Sequence, residues 1–179
     1  IYIKDGVYRE KVTIPVNKQR LHLIGQSARN TVITWNDYAK KIGPTGYEMG
    51  TSATSTVFLY ASDFLAENLT IENSSGEGRD IGQACAITVD GDRVAFLNCR
   101  FVANQDTIYT YGKGQRQYFR NCWIEGTTDF IFGASTCWFE DCTILSKKNS
   151  YITAASTPEN EEFGYVFRNC RLIHNEDAV

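Results

Sequence analysis

Histidine is scarce in this sequence: two residues in 179, His22 and His174. Both lie outside the stretch that carries the motifs, so they are read as surface or structural and a histidine-based triad is set aside. No Gly-x-Ser-x-Gly run occurs, which removes the nucleophile elbow of a serine esterase. Six cysteines are present, but there is no Cys-x-x-Cys and no paired histidine, so zinc is not expected. No apolar run reaches about 18 residues, so no membrane span is expected. A bias to one sign of charge is also missing. The formal net charge is −3 and no basic stripe stands out, which argues against a nucleic-acid partner. There is no initiator methionine and no signal peptide. The chain opens on Ile1-Tyr2-Ile3, already in a strand-like pattern, and closes on Asn175-Glu176-Asp177-Ala178-Val179, just after a repeat. The expectation is one domain over residues 1–179, cut at both ends and long enough to bury a sizeable core.

What the chain does have is a repeat. Glu67-Asn68-Leu69-Thr70-Ile71, Leu97-Asn98-Cys99-Arg100-Phe101, Arg120-Asn121-Cys122-Trp123-Ile124, Glu140-Asp141-Cys142-Thr143-Ile144 and Arg168-Asn169-Cys170-Arg171-Leu172 share one pattern. The steps from Leu69 through Cys99, Cys122 and Cys142 to Cys170 are 30, 23, 20 and 28 residues, the differences of those numbers. Periods of this size mark solenoids or arrays, and a propeller would need about 40 residues per unit. The units are short alternating strands between polar, glycine-containing bends. The drifting step fits loops of unequal length leaving one side of a coil. The fold class is therefore all-β, a parallel β-helix whose coils bury their apolar faces by stacking.

Within the coils, Ile1, Ile3, Val7, Val12, Ile14, Leu21, Leu23, Ile24, Val32 and Ile33 are read as inward or sheet residues of two narrow first coils. Periodicity fails from Trp35 to Gly50, an excursion loop that is either of the kind that carries binding on a rigid scaffold or a solvated connector with a few anchoring aromatics. Asn68, Asn98, Asn121, Asp141 and Asn169 fall at one corner, where their side chains are expected to bond turn backbone. Cys99, Cys122, Cys142 and Cys170 form an internal ladder of small apolar residues. Coils about 4.8 Å apart leave a disulfide geometrically open, and free buried thiols are the favoured reading.

Asp106 and Asp129 stand apart from this scaffold. Each lies seven residues after a ladder cysteine, Cys99 and Cys122, so the repeat stacks them on successive coils. At about 5 Å and an effective dielectric near 20, their repulsion is roughly 3 kcal/mol, about two pKa units. One then keeps its proton near neutral pH while the other is ionised, the division needed by an acid paired with a nucleophile or base. The alternative is a pair of turn-capping carboxylates. Gln105 and Gln83 add neutral amide donors suited to a developing oxyanion. Tyr109, Tyr111, Trp123, Phe130 and Phe132 supply aromatic surface, some of it core.

The segments Gly82-Gln83-Ala84, Gln105-Asp106-Thr107-Ile108-Tyr109, Gly126-Thr127-Thr128-Asp129-Phe130-Ile131-Phe132-Gly133 and Tyr151-Ile152-Thr153-Ala154 carry a resemblance. So do Asp5-Gly6-Val7-Tyr8-Arg9-Glu10-Lys11-Val12 and Gly164-Tyr165-Val166-Phe167-Arg168-Asn169-Cys170. Over essentially its whole length the chain resembles the pectin methylesterase family, especially its bacterial members. The resemblance implies a right-handed β-helix that hydrolyses methyl esters of polygalacturonate without metal or other cofactor. It implies Asp129 as nucleophile, Asp106 as acid and then base, and Gln105 and Gln83 as stabilisers of the tetrahedral centre. Thr51, Gln83, Tyr109 and Phe130 become the expected substrate contacts. Methyl-esterified homogalacturonan is the expected partner, and a secreted or periplasmic monomer the expected state. Two departures stand out. The family's later Leu-Gly-Arg-Pro-Trp segment is not among the 179 residues, and Thr128 stands where many members have Val, so its hydroxyl needs a partner. Other classes fit less well. There is no acidic cluster for the calcium of a pectate lyase, and no Asp-Asp pair or His-Gly motif of a polygalacturonase. The alternatives are a non-catalytic carbohydrate-binding solenoid or an inactive truncated esterase.

Overall fold

The computed structural model describes residues 1–175; residues 176–179 of the expected closing stretch lie outside the described residues. Three parallel sheets of seven, seven and six strands run the length of the chain. The first contains Phe64–Glu67, Val94–Leu97, Arg116–Arg120, Thr136–Glu140 and Tyr165–Arg168. The second contains Thr70–Asn73, Arg100–Val102, Trp123–Gly126, Thr143–Ser146 and Arg171–His174. The third contains Val57–Leu59, Ile87–Val89, Ile108–Thr110, Ile131–Gly133 and Thr153–Ala155. Each strand pairs with its counterpart one coil away. The result is a parallel β-helix, right-handed as parallel crossovers are.

Register explains why these residues form these strands. Ala66, Phe96, Phe119, Phe139 and Phe167 share one inward ladder of the first sheet. The Phe96–Phe119, Phe119–Phe139 and Phe139–Phe167 rings stack at 5.1, 4.7 and 4.8 Å. Ile71, Phe101, Ile124 and Ile144 do the same in the second sheet, and Val57, Ile87, Ile108 and Ile131 in the third. Each fully buried ring or branched side chain contributes about 2–3 kcal/mol, and a stacked aromatic pair about 1 kcal/mol more.

The corner between the first two sheets is built by the asparagine repeat. Asn68, Asn98, Asn121, Asp141 and Asn169 all hold φ between 52° and 55°. That left-handed conformation is strained for most L-residues and tolerated by Asn and Asp. Among the described residues, their side chains make no hydrogen bond to turn backbone, contrary to expectation. Asn121 Nδ2 donates to Asn98 Oδ1 at 2.7 Å, and Asn98 Nδ2 to Asn68 Oδ1 at 3.3 Å. The corner backbone N–H groups of Asn68, Asn98, Asn121 and Asp141 already donate to the next coil, which leaves the side chains to pair with one another. The cysteine ladder follows directly. All six thiols are free, and Cys99, Cys122 and Cys142 are buried, each Sγ donating to a backbone carbonyl at 3.4–3.5 Å. Burial pushes the Cys99 thiol up to about 12.

In the first coils several of the residues read as inward or sheet are strand residues that do not face inward, and Ile1 is exposed before the first strand. Val7 pairs with Val32 on the outer face, while Tyr8, paired with Ile33, turns in. The strand Gly6–Arg9 alternates from that register, so Val7 is exposed. The excursion loop is pinned by Asp37, which is buried and ion-paired to Lys11 at 2.7 Å and to Lys41 at 2.6 Å. Asn73 beneath it donates to the carbonyls of Asp37 and Cys85 at 2.8 and 3.0 Å.

Candidate active site

Ile108 of the third sheet pairs with Ile131 one coil on. Asp106 and Asp129 each lie two residues before these partners, so they stand at equivalent positions about one coil spacing, 4.8 Å, apart. The backbone fixes this. Asp106 N donates to Thr128 O at 3.2 Å, and Asp129 N to Tyr151 O at 2.7 Å. Both residues sit at positive φ, 67° and 49°, so the chain turns sharply at each before entering its strand. The turn before Asp129 also needs Gly126. A Cβ there would lie 2.2 Å from Phe130 Cβ and 2.6 Å from Asn104 O. Thr127 N donates to that same Asn104 carbonyl at 3.0 Å, and Thr107 Oγ1 to Glu125 O at 2.8 Å, tying the two turns together.

The two carboxyls see different surroundings. Asp106 is 7 % exposed, whereas Asp129 is half-buried. Burial first, and the Asp129 charge second, push the Asp106 carboxyl up to about 7. The order of causes differs from the sequence argument, in which repulsion alone separated the pair. Desolvation dominates because the coil covers Asp106 and opens at Asp129.

Gln83 and Gln105 flank the pair on consecutive coils. Their backbone carbonyls are used, by Ala39 N at 2.8 Å and Ala84 N at 3.1 Å. Their side-chain amides make no hydrogen bond among the described residues and line a groove of about 380 Å³ with Thr127 and Thr128. The Thr128 hydroxyl finds its partner in Ser150 Oγ at 2.9 Å. Tyr109 lies on the outer face of the third sheet, stacked on Phe132 at 4.3 Å and 13°. Thr51 opens the short 3-10 turn Thr51–Ala53, where its carbonyl accepts from Thr54 Oγ1 at 2.8 Å; the adjoining Ser52 lines a recess with Tyr109 and Tyr111.

Phe130 does not join this surface. It is fully buried in the main core, so it cannot offer a ring to a sugar. The left-handed Asp129 swings the next side chain inward, Ile131 follows against Ile108, and Phe132 is the ring that faces out. Strict alternation from the buried Ile131 would put both Phe130 and Phe132 outside, so periodicity alone does not separate them. Lys40, Arg79 and Lys148 also line the groove; Lys40 lies in the excursion loop, and no sequence signal singled out Arg79 or Lys148, which come from two other loops. Among the described residues no group of three or more His, Cys, Asp or Glu side chains is arranged to hold a metal ion.

Comparison with known proteins finds relatives over nearly the whole of this chain. The chain is 44 % identical over 181 residues to Pectinesterase 31 of Arabidopsis thaliana, covering 98 % of this chain and 56 % of that protein. Among solved structures it is similar to a pectin methylesterase from Erwinia chrysanthemi, at 36 % identity and a TM-score of 0.90, over 99 % of this chain and 58 % of that one. It is equally similar in shape to a pectin methylesterase from carrot, at 33 % identity and a TM-score of 0.88, over 99 % of this chain and 54 % of that one. The chain thus spans a little over half the length of each of these three proteins. Plant and bacterial relatives match alike, so the expected placement among bacterial members is not supported. The Pectinesterase family model matches residues 1–179; with paired aspartates, free glutamine amides and the β-helix that stacks them, the chain belongs to the pectinesterase family.

Proposed function

We propose that the protein hydrolyses methyl esters of polygalacturonate, releasing methanol and leaving free carboxylates, with Asp129 as nucleophile and Asp106 as the proton carrier. The observation that supports this most is the difference in burial between two aspartates one coil apart. Asp106 holds its proton up to about pH 7, which suits a group that must give a proton to a leaving alcohol. Asp129, half-buried and next in sequence to the groove residues Thr127 and Thr128, attacks the ester carbonyl. The oxyanion that forms accepts hydrogen bonds from the free amides of Gln83 and Gln105. Collapse of the tetrahedral centre breaks the bond to the methoxy oxygen, which takes the Asp106 proton and leaves as methanol. The product at this stage is an anhydride between Asp129 and the sugar carboxyl. Water then attacks the sugar carbonyl, Asp106 takes its proton, and Asp129 departs as a carboxylate. The cycle closes with Asp106 protonated and no external oxidant, reductant or metal consumed.

Tyr109 and Phe132 present a flat stacked surface beside the dyad, suited to a sugar ring. Thr51 lies at the edge of the same face. The protein acts, in this reading, as a secreted or periplasmic monomer on methyl-esterified homogalacturonan. The test is incubation with highly methylated pectin, following methanol and unsaturated chain ends in one tube beside Asp129→Ala. Methanol that vanishes in the variant, without unsaturated ends, supports the reading. No methanol from the folded protein overturns it.

A further inference from the structure

The proposed chemistry rests on two turns, residues 103–106 with Gln105 and Asp106, and residues 126–129 with Asp129. Backbone bonds join them: Thr127 N donates to Asn104 O at 3.0 Å and Asp106 N to Thr128 O at 3.2 Å. A third coil adds a side chain to this pair. Thr143–Ser146 is the second-sheet strand one coil beyond Trp123–Gly126, with Ser146 opposite Gly126. Lys147 follows that strand. Its N–H donates to Gly126 O at 2.8 Å, which fixes its main chain against the Asp129 turn. Its ammonium then reaches back across that coil and donates to Ala103 O at 2.6 Å, at the start of the Asp106 turn. Glu125 Oε1 accepts from the same ammonium at 3.3 Å, while Glu125 Oε2 accepts from Trp123 Nε1 at 2.6 Å, so the carboxylate is itself held in place. The Lys147 side chain is only 21 % exposed. Its charge has given up much of its water for one carboxylate and one carbonyl.

A lysine buried for stability alone can be replaced by an apolar side chain of similar volume. This one grips the peptide two residues ahead of Gln105, without a hydrogen bond to either aspartate. Its charge has no share in the raised Asp106 carboxyl, which comes from burial first and Asp129 second. The other titratable groups that sense Asp106 are Cys85 and Tyr109. We infer that Lys147 is a positioning residue: its ammonium clamps the turn bearing Gln105 and Asp106 onto the turn bearing Asp129, and so sets the oxyanion donor and the acid against the nucleophile. The inference rests on the esterase reading of the dyad and adds a residue that works through backbone on both sides of it.

Lys147→Met keeps the apolar stem and removes the donor. A displacement of about 1 Å can cost about a hundredfold in rate. The variant is therefore expected to lose about ten- to a hundredfold in kcat on highly methylated pectin, with KM within about twofold, because the oxyanion that Gln105 meets forms only on the way to the transition state. Lys147→Arg, whose guanidinium offers donors at similar reach, should recover kcat to within about threefold of wild type. Urea midpoints are recorded alongside; should Lys147→Met not fold, Lys147→Gln, whose donor is one bond closer to the backbone, takes its place. The Asp106 carboxyl is titrated by carbon NMR in wild type and variant. A loosened turn admits water, so the titration midpoint should fall from about 7 to about 6. Loss of a cation that acted through its charge would raise the midpoint instead. A kcat within about twofold of wild type in the folded variant, or an Asp106 midpoint that rises or stays in place, overturns the inference. If the wild type itself releases no methanol, the esterase reading fails, and the Asp106 midpoint alone decides whether Lys147 sets the turn.

Discussion

Replacing Asp106 by Asn is expected to stabilise the protein at alkaline pH while removing its activity. The carboxyl is raised from 3.8 to about 7 by burial and by the neighbouring Asp129 charge. The sign follows from proton counting. Between these two values the folded state holds more protons at this site than the unfolded chain does, so unfolding becomes easier as the pH rises. The loss begins near pH 4 and is complete a little above pH 7. A shift of roughly three units at 1.36 kcal/mol each gives about 4 kcal/mol at most. The amide of Asn has nearly the shape of the protonated acid and carries no charge to desolvate, so the variant is spared this cost. Urea unfolding of both proteins at pH 4, 6 and 8 measures it through the midpoint at constant slope. The variant should match the wild type at pH 4 and exceed it by about 2–4 kcal/mol at pH 8. A gap that does not grow with pH, or a variant less stable at pH 8, refutes the argument that Asp106 is buried as a proton carrier. Methanol release by the variant should fall by about a thousandfold, the scale of losing a general acid.

Other consequences follow from the same geometry. The rate of the wild type should decline as pH rises through about 7, because the leaving alcohol then finds Asp106 without its proton; a flat alkaline limb would remove Asp106 from that role. Phe132→Ala and Phe130→Ala should part company. The first is expected to raise KM with little change in the urea midpoint, and the second, a fully buried ring, to cost about 3–5 kcal/mol of stability. At the corner, Asn121→Ala should cost about 1–2 kcal/mol through its φ of 52°. Asn121→Gly, which relieves that strain but also lacks the ladder hydrogen bond, should be milder; equal losses would shift the weight from backbone strain to the side-chain ladder. Asp37 is opposed by burial but held ionised by Lys11 and Lys41, which keep its carboxyl below the ordinary value. Its contribution is present above pH 4 and is lost as the pH falls through its lowered value. Amide exchange in residues 37–50 should accordingly quicken in acid before the coils open, and simultaneous opening would show that the loop is not separately pinned.

Much of this molecule was legible before any coordinates, because a solenoid writes its geometry into a linear repeat. Each coil contributes one Asn or Asp to the corner, one Leu or Cys behind it and one apolar residue to the second sheet, and stacking in register requires nothing else. The same arithmetic put Asp106 above Asp129, since equal offsets from Cys99 and Cys122 become equal positions on successive coils. The motifs then narrowed the family to one that the comparisons bear out. Tertiary structure decided what periodicity does not encode. The left-handed Asp129 turned Phe130 into the core and left Phe132 outside, a reversal produced by one backbone angle. Burial, a property of all the walls together, raised the Asp106 carboxyl more than its neighbour's charge did. The cations of the groove come from three loops far apart in sequence, Lys40, Arg79 and Lys148, and only the packing of those loops on the coils makes them one surface. Repetition is local and survives in sequence; desolvation and the meeting of loops are sums over the folded chain and exist only there.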